Sequence, residues 1–133
     1  MNAVFADTFF YVALLSRRDN RHRIALDWAS QQRTRIVTTQ FVLLEVANFC
    51  RSPRDRQRFA VFVQAINTNP VTTVIPCSST WFRRGLDRFA SRLDKEWSLT
   101  DCISFVVMEE RGLSQAMTDD HHFEQAGFTV LLR

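Results

Sequence analysis

The sequence has few of the residues that build common phosphate and metal sites. Of its 133 residues, only three are glycine and three are proline. Three isolated glycines cannot form a P-loop or a G-x-G-x-x-G turn, because both need several glycines close together. The three cysteines (Cys50, Cys77 and Cys102) include no C-x-x-C pair, so we expect neither a zinc knuckle nor a disulfide framework. Free thiols suit a reducing compartment, and we expect a cytoplasmic protein.

Lysine and long apolar runs are also scarce. Lys95 is the only lysine among 17 basic residues, which argues against a receiver domain, since that fold needs a lysine after a late strand. The early segment ADTFF, at 6–10, lacks the D-x-D of haloacid-dehalogenase-like phosphatases. The apolar start, AVFADTFFYVALL, is interrupted by Asp7 and is too short to span a bilayer. We therefore expect no membrane partner.

The composition is typical of one packed globular domain. Hydrophobic residues make up 46% of the chain and charged residues 23%, and there are 12 phenylalanines. A chain of this length has no room for a second independent core, so we expect a single domain over residues 1–133. Sixteen of the basic residues are arginine, clustered at 17–23, 51–58 and 82–92. Such clusters are typical of solvated helix faces or of phosphate-binding surfaces.

Short apolar segments alternate with helical patterns along the chain. Strands are predicted at 3–6, 35–39, 71–76 and 128–133, with a short one inside 112–120. Helices are predicted from residue 8 onward and at 40–51, 53–67, 78–93 and 98–112. Strands that alternate with helices indicate βα units, and so the predicted fold class is α/β, with a mostly parallel sheet covered on both faces.

Acidic residues follow several of the predicted strands. Asp7 ends the first strand, Glu45 lies among apolar residues of the next helix, Asp101 is in the first turn of an apolar helix, and Asp119 and Asp120 follow the short strand. Ligands of parallel sheets bind beyond the carboxyl ends of the strands. Each acid falls at a strand end or on the helix after one, so we expect these carboxylates to share one edge of the sheet.

Each acid also has a purely structural interpretation. Asp101 completes an S-x-x-D capping box with Ser98. Asp7 and the pair at 119–120 have the composition of turns, and Glu45 is a candidate partner for a buried arginine. These alternatives stay open for each residue taken alone, but the expected placement of all the acids at one edge of the sheet favours a functional site.

Clustered carboxylates without converging histidine or cysteine favour Mg²⁺ or Mn²⁺ over Zn²⁺. We interpret His121 and His122 as turn or pocket-lining residues rather than ligands. A divalent ion held by carboxylates can activate water and neutralise charge on a phosphoryl group, which is the chemistry of phosphodiester hydrolysis. When Asp7, Glu45, Asp101 and Asp120 are left out of the count, the chain has 17 basic and 10 acidic residues. A cationic body around an anionic site attracts a polyanion.

Four segments resemble the PIN domain family and, within it, the VapC-type toxins of toxin-antitoxin pairs. They are FADTFFYVALL at 5–15, TTQFVLLEVANF at 38–49, EWSLTDCISFVVMEERGL at 96–113 and MTDDHHFEQAGF at 117–128. The resemblance implies a Rossmann-like three-layer α/β/α sandwich and a ribonuclease dependent on Mg²⁺ or Mn²⁺. It also implies a homodimer and a small cognate antitoxin that inhibits the enzyme.

The resemblance assigns roles to individual acids. Asp7, Glu45 and Asp101 match the three best-fixed acids of the family, and Asp120 matches the fourth, in the pattern T-x-D-x-x-F. These four are implied as catalytic metal ligands. Asp119 occupies the variable position of that pattern and is implied as an alternative ligand or as support for one.

Three hydroxyl residues match positions that support the acids. They are Thr8, beside Asp7; Ser104, one helical turn after Asp101; and Thr118, at the start of the T-x-D-x-x-F pattern. Phe9 departs from the family, in which many members have a small polar residue there.

The function predicted from the sequence is a metal-dependent endoribonuclease that acts as the toxin of a type II toxin-antitoxin pair. One alternative within the same fold is a PIN nuclease of RNA processing or of DNA cleavage. Another, from a different class, is a non-catalytic module that binds RNA or protein.

Overall fold

The computed structural model describes residues 3–31 and 34–133, and these ranges contain five strands and seven helices. The strands are β1 (Ala3–Ala6), β2 (Arg35–Thr39), β3 (Thr72–Ile75), β4 (Gln115–Met117) and β5 (Thr129–Val130). The helices are α1 (Thr8–Leu15), α2 (His22–Ser30), α3 (Gln40–Phe49), α4 (Pro53–Thr68), α5 (Ser79–Ser91), α6 (Leu99–Arg111) and α7 (His121–Gln125). No helix in these ranges is long and apolar enough to cross a membrane.

The strands form one parallel sheet in the order β3-β2-β1-β4-β5. The chain steps outward from β1 to β2 and β3 and then returns to place β4 on the other side of β1. The direction of winding therefore reverses between β1 and β4. In open parallel sheets a crevice forms at this point, beyond the carboxyl ends of the two strands. The predicted α/β class with a parallel sheet is confirmed.

Helices cover both faces of the sheet. Successive side chains of a strand point to opposite faces. Val4, Phe5 and Ala6 of β1 are nevertheless all buried, and so are Ala116 and Met117 of β4. Burial on both faces of neighbouring strands is the signature of the predicted three-layer sandwich.

Helix α6 runs through the core. All its residues from 101 to 108 are buried, so it is surrounded on every side. It packs tightly on α5 at Gly85, where an added Cβ would lie 2.2 Å from Ile103 Cγ1 and 3.0 Å from Ile103 Cα. The helix ends at Gly112, whose φ of 67° suits glycine. The close approach at Gly85 fixes α6, and with it the position of Asp101.

An aromatic cluster attaches α7 to α6. The Phe105 and Phe123 rings meet edge-to-face with centroids 4.9 Å apart, and Trp97 meets Phe105 in the same way at 5.0 Å. Phe123 also contacts Phe5 of β1. Such pairs contribute roughly 1 kcal/mol beyond the area they bury. A helix of only five residues is thereby held in a defined position above the sheet.

Three predictions about local structure need correction. Helix α2 was not predicted, because Ala25 is its only fully buried residue and its apolar signal is weak. The acidic turn after β4 continues into α7, which is too short for a helical period to show. The last strand was predicted over 128–133, but its ladder ends at Val130 because β4 turns after Met117, where the Thr118 amide donates to Ala116 O.

Candidate active site

Asp7 lies at the carboxyl end of the central strand, where the winding reverses. Its side chain is almost completely buried. Its backbone N–H donates to Met117 O of β4 at 3.3 Å, which joins the two strand ends. The Thr118 hydroxyl donates to Asp7 Oδ2 at 2.9 Å. The carboxylate is therefore fixed from the β4 side of the crevice.

The environment of Asp7 disfavours its charge. Burial is the main cause and, with the nearby carboxylates of Asp101 and Glu45, raises the pKa of Asp7 to about 8. The Thr8 amide and the Thr118 hydroxyl favour the ionised form but are outweighed. A carboxylate that carries its charge here needs a compensating cation.

Asp101 combines two of the roles considered from the sequence. It completes a capping box at the start of α6: its amide donates to Ser98 Oγ at 3.0 Å, and the Ser98 amide donates to Asp101 Oδ2 at 3.2 Å. Burial, more than the nearby Asp120 and Glu45 carboxylates, raises the pKa of Asp101, while the Ser98 amide and His122 oppose the shift. The capping role and a place in the acidic cluster are therefore compatible.

Glu45 and Asp120 complete the cluster. Glu45 is half-buried on α3, a helix capped by Thr39, and its charge acts on both Asp7 and Asp101. Asp120 is half-buried at the start of α7 and accepts the His122 amide hydrogen bond at 2.9 Å. The four acids that the resemblance implied as ligands come from four separate parts of the chain, and their charges act on one another through Asp7 and Asp101.

Asp119 lies beside the cluster in a salt bridge. Its Oδ2 is 3.3 Å from Arg21 Nε, and both side chains are more than a third exposed. An exposed pair of this kind contributes little to stability. The contact gives Asp119 an arginine partner, which none of the four clustered acids has among the described residues.

No arginine or lysine compensates the four clustered carboxylates within the described ranges: none has a side-chain nitrogen within 4.0 Å of them. The suggested pairing of Glu45 with a buried arginine is therefore not seen. Buried charges without a partner are costly in free energy. An oxygen-rich cluster of this kind fits a divalent cation such as Mg²⁺ or Mn²⁺, with Asp7, Glu45, Asp101 and Asp120 as the residues that would hold it.

The three predicted hydroxyl residues are fully buried around the acids. Thr118 is satisfied, since it donates to Asp7 and its oxygen accepts the Asp120 amide at 3.1 Å. The hydroxyls of Thr8 and Ser104 have no hydrogen-bond partner among the described residues. Unpartnered buried hydroxyls are rare. Their position beside Asp7 and one turn after Asp101 suits the ordered waters of a metal's hydration shell.

The contact between His122 and the acids was not predicted from the sequence. His122 Nδ1 lies 3.3 Å from Asp101 Oδ2 and 3.4 Å from Asp120 Oδ1. His122 was interpreted only as a turn or pocket-lining residue, but it lies between the carboxylates of Asp101 and Asp120. The available signal was its place two residues after an acid at a strand end.

Comparison with known proteins agrees with this geometry. The profile of the PIN domain matches residues 4–129. The chain belongs to the PIN domain family. The 23S rRNA-specific endonuclease VapC20 of Mycobacterium tuberculosis is 31% identical to it over 126 residues, which cover 94% of this chain and 95% of VapC20.

Solved structures show the same PIN fold. The crystal structure of VapC20, described as a Sarcin-Ricin loop cleaving toxin, superposes with a TM-score of 0.83 and 27% identity, covering 95% of this chain and 96% of VapC20. VapBC2 from Rickettsia felis, bound to a promoter DNA fragment, has a TM-score of 0.68 at 9% identity, with 97% of each chain covered. VapBC from Salmonella typhimurium, also bound to DNA, has a TM-score of 0.66 at 13% identity, with 98% of each covered.

Proposed function

We propose that this chain, as a single PIN domain over residues 1–133, is an endoribonuclease that depends on Mg²⁺ or Mn²⁺. The observation that carries the proposal is a group of four carboxylates, two of them buried, whose charges act on one another and which have no arginine or lysine nitrogen within 4.0 Å among the described residues. The similarity to an rRNA endonuclease over nearly the whole chain supports RNA as the substrate. Such an enzyme would act in the cytoplasm.

The residues of the crevice have separable tasks. Asp7, Glu45, Asp101 and Asp120 would hold the ion, which supplies water activation and charge neutralisation at phosphorus. Thr118 orients the Asp7 carboxylate through its 2.9 Å hydrogen bond. The α6 capping box fixes Asp101 against the start of its helix. Arginine-rich surfaces outside the crevice would draw in the RNA backbone.

Direct cleavage of RNA tests this function. We would incubate purified protein with ribosomal RNA and Mn²⁺ and map the new 5′ ends by sequencing, beginning with the sarcin-ricin loop because VapC20 cleaves there. We expect discrete cleavage that EDTA abolishes and added Mn²⁺ restores. Asp120→Asn should be inactive, and the matched control Asp87→Asn, an exposed acid on α5, should be active. Cleavage that persists in EDTA would contradict the proposal.

We also propose a small antitoxin as partner, bound in a groove of about 530 Å³ where α1, α3 and α4 meet. Four arginines line this groove, together with Phe49 and other apolar side chains, against the single acid Asp55. The arginines are Arg17, Arg18, Arg54 and Arg58. A cationic groove with an apolar floor suits a segment that carries both acidic and apolar residues.

The product of a short reading frame next to the gene is the partner to test. We expect it to inhibit RNA cleavage and expect Arg54→Glu to raise the concentration needed for half-inhibition by at least tenfold. Arg111→Glu, at the end of α6, is the matched control. If no small neighbouring protein inhibits the enzyme, the toxin assignment fails while the nuclease assignment stands.

Homodimerisation is the third part of the proposal. Four exposed apolar residues lie on or just after α5 at helical spacing: Phe82, Leu86, Phe89 and Leu93. A stripe with alternating spacings of four and three residues packs well on a second copy of itself. Sedimentation of the wild type and of the variant Leu86→Glu should give a dimer and a monomer, respectively. A monomeric wild type would refute this part.

A further inference from the structure

Two imidazoles stand at the edge of the acidic cluster. His121 and His122 are the first residues of α7 and follow Asp120 directly. One ligand atom from each of these three residues lies within 4.8 Å of the other two. Nitrogen donors have no use in a site for Mg²⁺, which prefers oxygen ligands. The proposed nuclease site therefore leaves their presence unexplained.

The spacing of these atoms resembles that of tetrahedral coordination. His122 Nδ1 is 3.4 Å from Asp120 Oδ1, and His121 Nδ1 is 3.7 Å from the same oxygen. Bonds of about 2.0–2.1 Å separate ligand atoms by about 3.3–3.4 Å in a tetrahedral zinc site. Adjacent ligands of an octahedral Mg²⁺ are only about 2.9 Å apart. The observed distances are nearer to the tetrahedral values.

The accessibility of the residues suits an ion that enters from solvent. The His121 side chain is 67% exposed, while those of His122 and Asp120 are 21% and 13% exposed. His122 and Asp120 are thus fixed by their surroundings, and His121 is free to complete the set of three. Mixed imidazole and carboxylate ligands bind Zn²⁺ more tightly than Mn²⁺, which precedes it in the Irving–Williams order.

We propose that Asp120, His121 and His122 form a Zn²⁺ site that shares the Asp120 carboxylate with the nuclease site, with water completing the coordination. Because Asp120 cannot serve both ions in full, Zn²⁺ bound here displaces the Mg²⁺ or Mn²⁺ needed for cleavage and inhibits the enzyme. The binding site stands on the geometry alone. The inhibition rests on the proposed nuclease function.

Binding is measured first and without RNA. The full-length protein is stripped with EDTA, dialysed and titrated with Zn²⁺ by calorimetry, and with Co²⁺ as a spectroscopic probe. We expect one Zn²⁺ per chain and the intense visible absorption of tetrahedral Co²⁺. His121→Ala should weaken Zn²⁺ binding at least tenfold and lower the Co²⁺ absorption, and the double variant with His122→Ala should abolish both. His22→Ala, at the remaining histidine, is the matched control and should bind as the wild type does.

The outcomes distinguish the proposed Zn²⁺ site from the inhibition that it is proposed to cause. Equal Zn²⁺ affinity in the wild type and the folded His121→Ala protein, or a weak octahedral Co²⁺ spectrum, overturns the site. Circular dichroism establishes folding, and His121→Ala is the safer variant because that side chain is mostly exposed. In the cleavage assay with Mn²⁺, Zn²⁺ should inhibit the wild type at concentrations at least tenfold below those needed for His121→Ala. Equal inhibition overturns the regulatory part. Zn²⁺ binding in a protein that cleaves no RNA would retain the site and refute the nuclease function instead.

Discussion

The hydroxyl of Thr118 donates to the carboxylate of Asp7 across the sheet, over 111 positions of sequence. The same oxygen accepts the amide of Asp120. One side chain therefore connects the carboxylate at the end of β1 with the backbone that positions the acid after β4. Because both acids belong to the proposed metal site, Thr118 sets the relative position of two ligands without being one.

Substitutions of Thr118 should separate this positioning role from packing. Thr118→Val keeps the shape of the side chain but removes the hydroxyl from Asp7 and from the Asp120 amide. We expect Mn²⁺ affinity, measured by calorimetry, to fall by roughly tenfold, as it does when outer-shell partners of metal ligands are lost. Thr118→Ser retains the hydroxyl and should bind Mn²⁺ within about threefold of the wild type. A valine variant with unchanged affinity would show that the hydrogen bond is incidental.

Asp101→Asn tests whether the charge of this residue serves the site or only the helix. The amide side chain keeps an oxygen for the Ser98 N–H and removes repulsion with Asp7 and Asp120. We expect RNA cleavage to fall by about 100-fold or more. In EDTA the melting temperature of the variant should equal or exceed that of the wild type, and added Mn²⁺ should raise it by less than it raises that of the wild type. Asp101→Ala also loses the hydrogen bond that Asp101 Oδ2 accepts from the Ser98 amide and should be less stable than the Asn variant by roughly 1 kcal/mol. An active but destabilised Asn variant would leave capping as the only role.

The raised pKa of Asp7 gives a pH dependence to the metal-free protein. Its folded pKa of about 8 exceeds the value of 3.8 for an ordinary aspartate, so the folded state binds the proton more tightly than the unfolded chain. The protonated Asp7 side chain therefore contributes to the free energy of unfolding. This contribution is complete below about pH 4 and is lost as the pH rises toward 8, by at most about 1.4 kcal/mol per pH unit. Urea unfolding in EDTA should show this loss in the wild type relative to Asp7→Asn. Parallel stability curves for the two proteins would contradict the assignment.

Gly85→Ala tests the contact that fixes α6. The new methyl group would meet both the side chain and the backbone of Ile103, so α5 and α6 would have to separate. We expect a loss of about 1–3 kcal/mol in the free energy of unfolding, as is usual for overpacked cores. Gly112→Ala has open space and incurs only the strain of its positive φ, about 1 kcal/mol. A Gly85 variant as stable as the wild type would mean that the two helices separate at no cost.

Elements with a strong apolar pattern could be predicted from the sequence. The strand at 35–39 was predicted with its observed bounds, and α6 ends at Gly112 as expected, because capping and burial are local signals. Helices α2 and α7 were missed, since one buries little and the other is five residues long. Their positions depend on contacts with distant parts of the chain, such as that between Phe123 and Phe105.

The acids of the site could also be predicted, but their surroundings could not. A carboxylate at the end of a buried strand is conspicuous in any sequence. The approach of His122 to Asp101 depends instead on how α7 packs, and the pairing of Asp119 with Arg21 depends on an unpredicted helix. The charges of the four acids act on one another in the structure, and their role as ligands remains a prediction.

The tight packing at Gly85 divides α5 into two surfaces under different structural constraints. The inner surface accepts no side chain at that point, so a substitution there would displace α6 and the Asp101 that it carries. The outer surface, with Phe82, Leu86 and Phe89, is exposed and can change without moving α6. The binding preference of the outer surface could therefore be altered without displacing the carboxylate that α6 carries.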